Sequence, residues 1–221
     1  MTPKADLADA ASLGDTFAVL LRHRGRGTMP DKMIRPLLMT WPSVERGQEG
    51  KSWDDVADAR QPIEAWERRT GLQLPSDYKS FMLKFNGGRV YPNMFNYAVP
   101  LERYPSTEPE TFLDPLYDWE YVEKIWSGEE FGEGCPPGML DIGSNPGGLE
   151  VLLSVSGDTY GQIFNWLRST NKWGTDGNDE VWLQAPSFRA FMDNLFDNSD
   201  RLGYDHWHLP GLAPLVRELS Y

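Results

Sequence analysis

The chain has 221 residues and a formal charge of -12 at pH 7. This charge argues against a nucleic-acid or anionic-membrane partner, because carboxylates repel phosphates unless a metal ion lies between them. The single cysteine excludes an intramolecular disulfide framework.

No stretch of the sequence approaches the roughly 18 consecutive apolar residues that a membrane span requires. The apolar run at residues 17–21 is also shorter than the about 7 to 15 apolar residues of a secretory signal peptide. The sequence therefore predicts a cytoplasmic protein.

Residues 1–46 predict an N-terminal extension that packs on or flanks the main domain. Four of its apolar residues occur at helical spacing: Leu13, Phe17, Leu20 and Leu21. Residues 33–41 are also apolar and contain Pro36, so they fit either an extended segment or a short helix. The pattern does not choose between these two structures.

Residues 63–88 are the most clearly patterned part of the chain, and they predict two helices. The apolar stripe of the first helix starts at Ile63, and the helix ends near Gly71. The second helix has apolar residues at i, i+3, i+4 and i+7, and Ser76 or Asp77 would cap its start. The second helix ends at residues that tolerate positive φ: Asn86, Gly87 and Gly88.

Downstream of residue 138, strand patterns alternate with turn clusters and predict a meander. The expected strands are residues 140–142, 150–155, 162–167 and about 181–183, and a helix follows from Ser187. These elements predict an α+β fold, with a single, mostly antiparallel β-sheet flanked by α-helices. We assign residues 47–200 to this domain and residues 201–221 to a C-terminal segment that packs on it.

The two-helix motif resembles the signature of the SUKH superfamily, and further matches follow downstream in the expected order. The fold-motif residues are Ile63, Trp66, Leu74, Pro75, Tyr78, Asn86, Gly87, Gly88, Gly143, Gly161 and Phe188. The superfamily includes fungal cell-wall-assembly regulators and many bacterial immunity proteins that neutralise toxins. The resemblance therefore implies a protein that binds other proteins.

Few residues suggest catalysis or metal binding. His206 and His208 are the best candidate metal ligands, but their spacing is weak, and packing of an aromatic C-terminal segment accounts for them better. Cys135 lies among glycine, prolines and acids, and the acids would raise the pKa of its thiol. The sequence predicts no enzyme, no catalytic residue, no metal and no cofactor.

Residues 102–133 hold ten acids and two bases, with aromatic residues among them. Carboxylates attract a basic partner at long range and aromatic side chains supply buried contacts, so this segment predicts a partner-binding surface. The candidate toxin-binding residues are Glu108, Glu110, Asp114, Asp118, Trp119, Glu120, Glu129, Glu130 and Glu133. A solvated insertion explains the same composition equally well.

The predicted function is that of an immunity protein, which binds and neutralises a cognate bacterial toxin domain, such as a nuclease, by direct contact. The alternative is an intracellular scaffold or regulatory module that resembles the fungal members of the superfamily. The sequence leaves open the identity of the toxin and the oligomeric state of the protein.

Overall fold

The computed structural model describes residues 32–37, 52–99, 110–197, 215 and 217–220. All of these residues belong to one compact unit, Lys32–Tyr221. Several sequence predictions lie outside the described residues: the helical pattern at residues 13–21, Glu108, His206 and His208.

The described residues form four α-helices: α1 (Arg60–Thr70), α2 (Ser76–Phe85), α3 (Trp119–Ser127) and α4 (Phe188–Asp193). The helices α1 and α2 are the predicted pair. The start of α2 differs from the prediction, because Pro75 is the N-cap and no side chain caps the helix. The Asp77 carboxylate instead accepts a hydrogen bond of 2.9 Å from the backbone N–H of Arg189, which ties α2 to α4.

Nine short strands accompany these helices in the described ranges. They are β1 (Met33–Arg35), β2 (Arg89–Tyr91), β3 (Met94–Asn96), β4 (Glu110–Phe112), β5 (Met139–Ser144), β6 (Leu149–Ser154), β7 (Ile163–Leu167), β8 (Trp182–Ala185) and β9 (Arg217–Glu218). All of their pairings are antiparallel, and β5 to β8 form the predicted meander in chain order. The α+β prediction is confirmed.

The described strands form three hydrogen-bonded sheets, whereas the sequence predicted a single sheet. In addition to the meander, β1 lies between β2 and β9, and β3 pairs with β4. Pro92 separates β2 from β3, and because proline has no N–H it cannot continue a ladder from one strand into the next. Leu116 bridges Gly88 on one side and Gly143 on the other, which links the meander to the end of α2.

Two strands come from segments that the sequence placed around the domain. The strand β1 lies within residues 1–46 and β9 within residues 201–221. Ile34 of β1 is fully buried, and the backbone N–H of Leu219 donates to the carbonyl of Lys32 at 3.0 Å. Residues 32–37 therefore supply the central strand of a sheet.

Apolar side chains cover both faces of the meander. Helices α1, α2 and α4 bury large aromatic residues on one face, including Trp66, Phe81 and Phe188. Strand alternation directs other residues to the opposite face, where they form a smaller cluster: Leu152, Phe164 and Trp166. Each of these large buried side chains stabilises the fold by roughly 1.5–3 kcal/mol.

The segment Asn86-Gly87-Gly88 ends α2 and passes close to the chain that leads into α3. Its φ angles are positive, with 45° at Asn86 and 82° at Gly87. Gly88 exchanges two backbone hydrogen bonds with Leu116, at 2.9 and 3.0 Å. A Cβ atom at Gly87 would lie 2.6 Å from the backbone carbon and oxygen of Tyr117. Glycine is therefore required by the close approach as well as by the backbone conformation.

Candidate functional site

The first part of the acidic segment contributes to the fold. Trp119 is 1% exposed and packs edge-on against Trp66, with ring centroids 5.6 Å apart. Its side chain belongs to the core and offers no surface to a partner. Asp118 is the N-cap of α3 and accepts a hydrogen bond of 3.0 Å from the backbone N–H of Tyr121.

Two further predicted acids are partly buried before α3. Glu110 is the first residue of β4. Asp114 forms an ion pair with Arg89, with 2.9 Å between Oδ1 and Nε. Burial raises the pKa of Asp114, and the charges of Arg89 and Arg35 oppose this shift. Both acids lie where they support local structure.

The remaining acids with described positions are exposed: Glu120, Glu129, Glu130 and Glu133. Glu120 pairs with Lys124 one helical turn away, at 2.7 Å. Glu133 pairs with Lys172 at 2.8 Å, and this hydrogen bond lowers the pKa of the Glu133 carboxyl. We use the name acidic turn for Glu129, Glu130, Phe131 and Glu133.

The acidic turn begins directly after the C-terminus of α3. The C-cap is Gly128, with a φ of 84°, and the next N–H, that of Glu129, donates to the carbonyl of Lys124 at 3.0 Å. A carboxylate at this position faces the negative end of the helix dipole, which typically costs about 0.3–1 kcal/mol. Helix stability therefore does not account for the acids of this turn.

The acidic turn rests on the smaller apolar face of the meander. Phe131 packs edge-on against Trp166 at 5.8 Å, and the guanidinium of Arg168 lies 5.5 Å from the Phe131 ring centroid. Asn178 accepts a hydrogen bond from Trp166 Nε1 at 2.8 Å and donates one to the Gly134 carbonyl at 2.7 Å. These contacts hold the turn in place, which lowers the ordering cost of binding.

Two carboxyl groups are buried under this region. Asp141 of β5 is 2% exposed and Glu150 of β6 is 0% exposed. The strand register places Asp141 opposite Leu152, two residues from Glu150, so the two acids lie on one face of the β5–β6 hairpin. The Tyr117 hydroxyl donates to Glu150 Oε2 at 3.1 Å, and Arg168 Nη1 lies 3.2 Å from Glu150 Oε1. The backbone N–H of Gly143 lies 3.4 Å from Asp141 Oδ1. We call Asp141 and Glu150 the carboxyl pair.

Burial and neighbouring charges shift the pKa values in and around the carboxyl pair. Burial, followed by the charge of Glu150, raises the pKa of Asp141 well above its usual range. Burial also raises the pKa of Glu150, although Arg168 opposes the shift. Burial and the charges of both acids raise the pKa of the half-buried Cys135 thiol to about 12. Cys135 is therefore a poor nucleophile at neutral pH, as its acidic neighbours predicted.

Sequence reasoning did not identify the carboxyl pair as a site. The sequence analysis singled out none of Asp141, Glu150 and Arg168 for its chemistry. The available signal was one acid in each of two otherwise apolar strands, Met139–Ser144 and Leu149–Ser154. An acid in a buried strand is costly unless it is protonated or paired, so it marks a position that needs an explanation.

Other parts of the described structure offer little chemistry. A cleft of about 290 Å³ between β3, β8 and α4 is lined by Phe95, Asn96, Gln184, Ala185, Phe191 and Asn194. None of these side chains can act as an acid or a base near neutral pH. Within the described ranges, no group of three or more His, Cys, Asp or Glu side chains is arranged to hold a metal ion. Nor does any helix there have the length and apolar character needed to cross a membrane.

Helices packed on an antiparallel meander, with the Asn86-Gly87-Gly88 segment against the approach to α3, define an α+β domain of the SUKH type. Residues 60–194 match the SMI1 / KNR4 family (SUKH-1), and the chain belongs to this family. The match runs from the start of α1 to just beyond α4. The predicted SUKH resemblance is therefore confirmed.

One curated protein of Bacillus subtilis (strain 168) is similar to this chain. It is the SPbeta prophage-derived uncharacterized protein YokK, which is 25% identical over 154 residues. The similarity covers 63% of this chain and 76% of that protein.

Proposed function

We propose that this protein is an immunity protein that binds a basic bacterial toxin domain at the acidic turn and blocks it by direct contact. Family membership supports a protein-binding role, since the SUKH superfamily includes many immunity proteins. The main support is the position of two exposed carboxylates, Glu129 and Glu130. They lie on a turn that packs against the meander, and their charges destabilise the C-terminus of α3.

Two charges of the acidic turn, those of Glu129 and Glu130, are available to a partner. Among the described residues, no basic side chain pairs with Glu129 or Glu130, and both are exposed. The formal charge of the whole chain, -12, adds a long-range attraction for a basic protein. Such fields raise association rates and weaken as salt concentration rises.

Aromatic side chains beside the acids provide short-range contacts. Phe131 lies within the acidic turn, and Tyr121 of α3 packs edge-on against Tyr117 at 4.7 Å. Both Phe131 and Tyr121 are half-buried. Burial, followed by the charge of Glu130, raises the pKa of the Tyr121 phenol. An aromatic contact within a charged rim is a common arrangement in binding hot spots.

In this proposal the protein is a cytoplasmic binder that needs no cofactor and catalyses no reaction. Residues 47–200 contain the binding surface, and the described strands of the flanking segments, β1 and β9, pair with each other beside it. The interface includes the exposed acids of the predicted set, which are Glu120, Glu129, Glu130 and Glu133. A nuclease is a natural partner, because a protein that binds nucleic acid presents a basic surface.

The proposal is tested by co-expression of the full chain with each neighbouring open reading frame. Affinity capture identifies the bound protein, and growth of the host reports whether its toxicity disappears. We expect capture of one toxic protein and rescue of growth. Capture of several harmless proteins without rescue would contradict the proposal and favour the scaffold alternative.

The acidic turn is tested by charge reversal, using the double variant Glu129→Lys/Glu130→Lys. We expect association with the captured toxin to slow by about tenfold at low salt and to become less dependent on salt, because steering charges are lost. Stopped-flow or surface-plasmon kinetics over a salt series measures both effects.

The matched control is Asp54→Lys/Asp158→Lys, which changes the net charge equally at exposed acids of two short 3-10 helices, Trp53–Asp55 and Gly157–Thr159. We expect the control to retain most of the wild-type rate. Equal slowing in both double variants would show that net charge alone steers the encounter, and the acidic turn would then not be the interface.

A further inference from the structure

The hydrogen-bond donors around the carboxyl pair are too few for two carboxylates. Glu150 receives the Tyr117 hydroxyl at 3.1 Å and faces Arg168 at 3.2 Å. Among the described residues, Asp141 has only the Gly143 N–H as a donor, at a long 3.4 Å to Oδ1. Asp141 Oδ2 is buried and receives no hydrogen bond from any N–H group or hydroxyl in the described ranges.

A proton on Asp141 resolves this shortage. A carboxylate oxygen only accepts hydrogen bonds, so two ionised carboxylates in contact repel each other and leave a buried charge without a donor. A protonated carboxyl has one O–H to donate, and Glu150, on the same face of the β5–β6 hairpin, is the acceptor beside Asp141. One shared proton also leaves one negative charge on the pair, which the charge of Arg168 balances.

We propose that Asp141 and Glu150 share one proton at neutral pH and that this proton locks the β5–β6 hairpin to the approach to α3 and to Arg168. The proton lies between Asp141 Oδ2 and Glu150, while Glu150 accepts the Tyr117 hydroxyl at Oε2 and forms an ion pair with Arg168 at Oε1. Loss of the proton places a second negative charge in the same buried volume. The fold is then destabilised, because Arg168 is the one basic side chain that pairs with either acid in the described part of the chain.

The described elements that surround the carboxyl pair carry titratable side chains, whose charges would change the energy of the shared proton. Tyr117 and Tyr121 approach from the α3 side, and Cys135 approaches from the segment after the acidic turn. Tyr78 of α2 is also within reach of the charge of Asp141. Burial raises the pKa of all four groups, so they are neutral near pH 7. Glu130 adds a further negative charge near Tyr121. Among the described residues, Arg168 is the basic group whose charge acts on Asp141.

The sign of the pH dependence follows from where the proton is held. In the unfolded chain, Asp141 loses its proton near pH 4, the ordinary range for aspartate. In the folded chain its pKa is raised, so between these two values the folded state binds one proton more than the unfolded state. The unfolding equilibrium constant therefore rises tenfold for each pH unit in this window. The stability that this proton contributes is fully present below the window and is lost as pH rises through it.

The experiment compares the full chain with its Asp141→Asn variant in urea unfolding at intervals from pH 5 to pH 8.5. Both chains carry Cys135→Ser, because the raised thiol pKa of Cys135 would add a trend of the same sign at high pH. Asparagine keeps the size of aspartate and an N–H donor toward Glu150 but holds no titrating proton. We expect the ratio of the two unfolding constants to change tenfold per pH unit over the part of the range in which Asp141 stays protonated.

The matched control is Asp158→Asn, an exposed acid, whose pH profile should follow the wild type. Infrared difference spectra between wild type and Asp141→Asn at pH 7 provide a second readout, through the C=O band of a protonated carboxyl and its shift in D2O. If Asp141→Asn unfolds too easily for titration, the C=O band of the wild type can be followed alone as pH rises. A constant ratio of unfolding constants, or an infrared spectrum without a protonated carboxyl at pH 7, would overturn the proposal.

Discussion

At Gly87 the backbones of two segments approach too closely for any side chain. An added Cβ atom would lie 2.6 Å from the backbone carbon and oxygen of Tyr117, and φ is 82°. Because the opposing atoms belong to the backbone, no side chain can rotate away to make room. A substitution must displace the segment that leads into α3.

The variant Gly87→Ala tests this requirement. We expect a loss of about 3 kcal/mol or more in the free energy of unfolding, because strained backbone adds to the steric overlap. The matched control is Gly157→Ala, which has a φ of 65° and open space around the added Cβ. It should lose only roughly 1 kcal/mol, the cost of a positive φ for a residue with a side chain. Equal losses in urea unfolding would show that the close approach adds nothing.

At the scale of elements, Asn86 joins three parts of the chain at the end of α2. Its Nδ2 donates to the Ala57 carbonyl at 2.9 Å, and its Oδ1 accepts the backbone N–H of Trp119, the first residue of α3, at 2.8 Å. The residue therefore does more than tolerate a φ of 45°. It fixes the relative position of α2, α3 and the segment before α1.

The variant Asn86→Gly separates these two roles. Glycine relieves the positive φ but removes both hydrogen bonds, so we expect a net loss of about 1–2 kcal/mol in urea unfolding. Asn86→Asp is the control, because it keeps the acceptor for the Trp119 N–H and loses only the donor to Ala57. A neutral or stabilising effect of Asn86→Gly would mean that the residue acts as a turn former only.

The predictable elements are those with strong local signals. Turn clusters and apolar runs were sufficient to place β5 to β7, and the i, i+3, i+4, i+7 spacing placed α2. The strands β1 and β9 span three and two residues, too few for any periodicity to appear. Their pairing depends on partners far along the chain, which local patterns cannot reveal. The sequence therefore left residues 33–41 open between two structures.

The candidate site was predictable only in part. Acidic composition identified the segment that contains Glu129 and Glu130, but composition does not separate exposed residues from buried ones. Trp119 follows the N-cap Asp118, so its side chain turns into the core and packs on Trp66. The placement of Asp141 beside Glu150 depends on the β5–β6 register and its irregularity between Asp141 and Gly143, which a single sequence does not show.

At the scale of the whole molecule, the formal charge of -12 makes the folded chain repel itself. Raising the salt concentration from about 0.01 M to about 0.15 M shortens the screening length from about 30 Å to about 8 Å. We therefore expect the melting temperature to rise by a few degrees over this range, measured by calorimetry. A parallel series in choline chloride controls for specific binding of sodium. A fall in melting temperature would mean that ion pairs such as Lys79 with Glu67, at 2.6 Å, outweigh the repulsion.

The pairing of β1 with β9 has a mechanical consequence. Met33 lies opposite Glu218, so the start of one strand is next to the end of the other. A force that pulled Lys32 and Leu219 apart would load their shared hydrogen bond first and then the bonds behind it in turn. Bonds that are loaded in sequence resist less than bonds that are loaded together. We therefore expect a force applied at Lys32 and Leu219 to separate β9 from β1 before it separates β1 from β2.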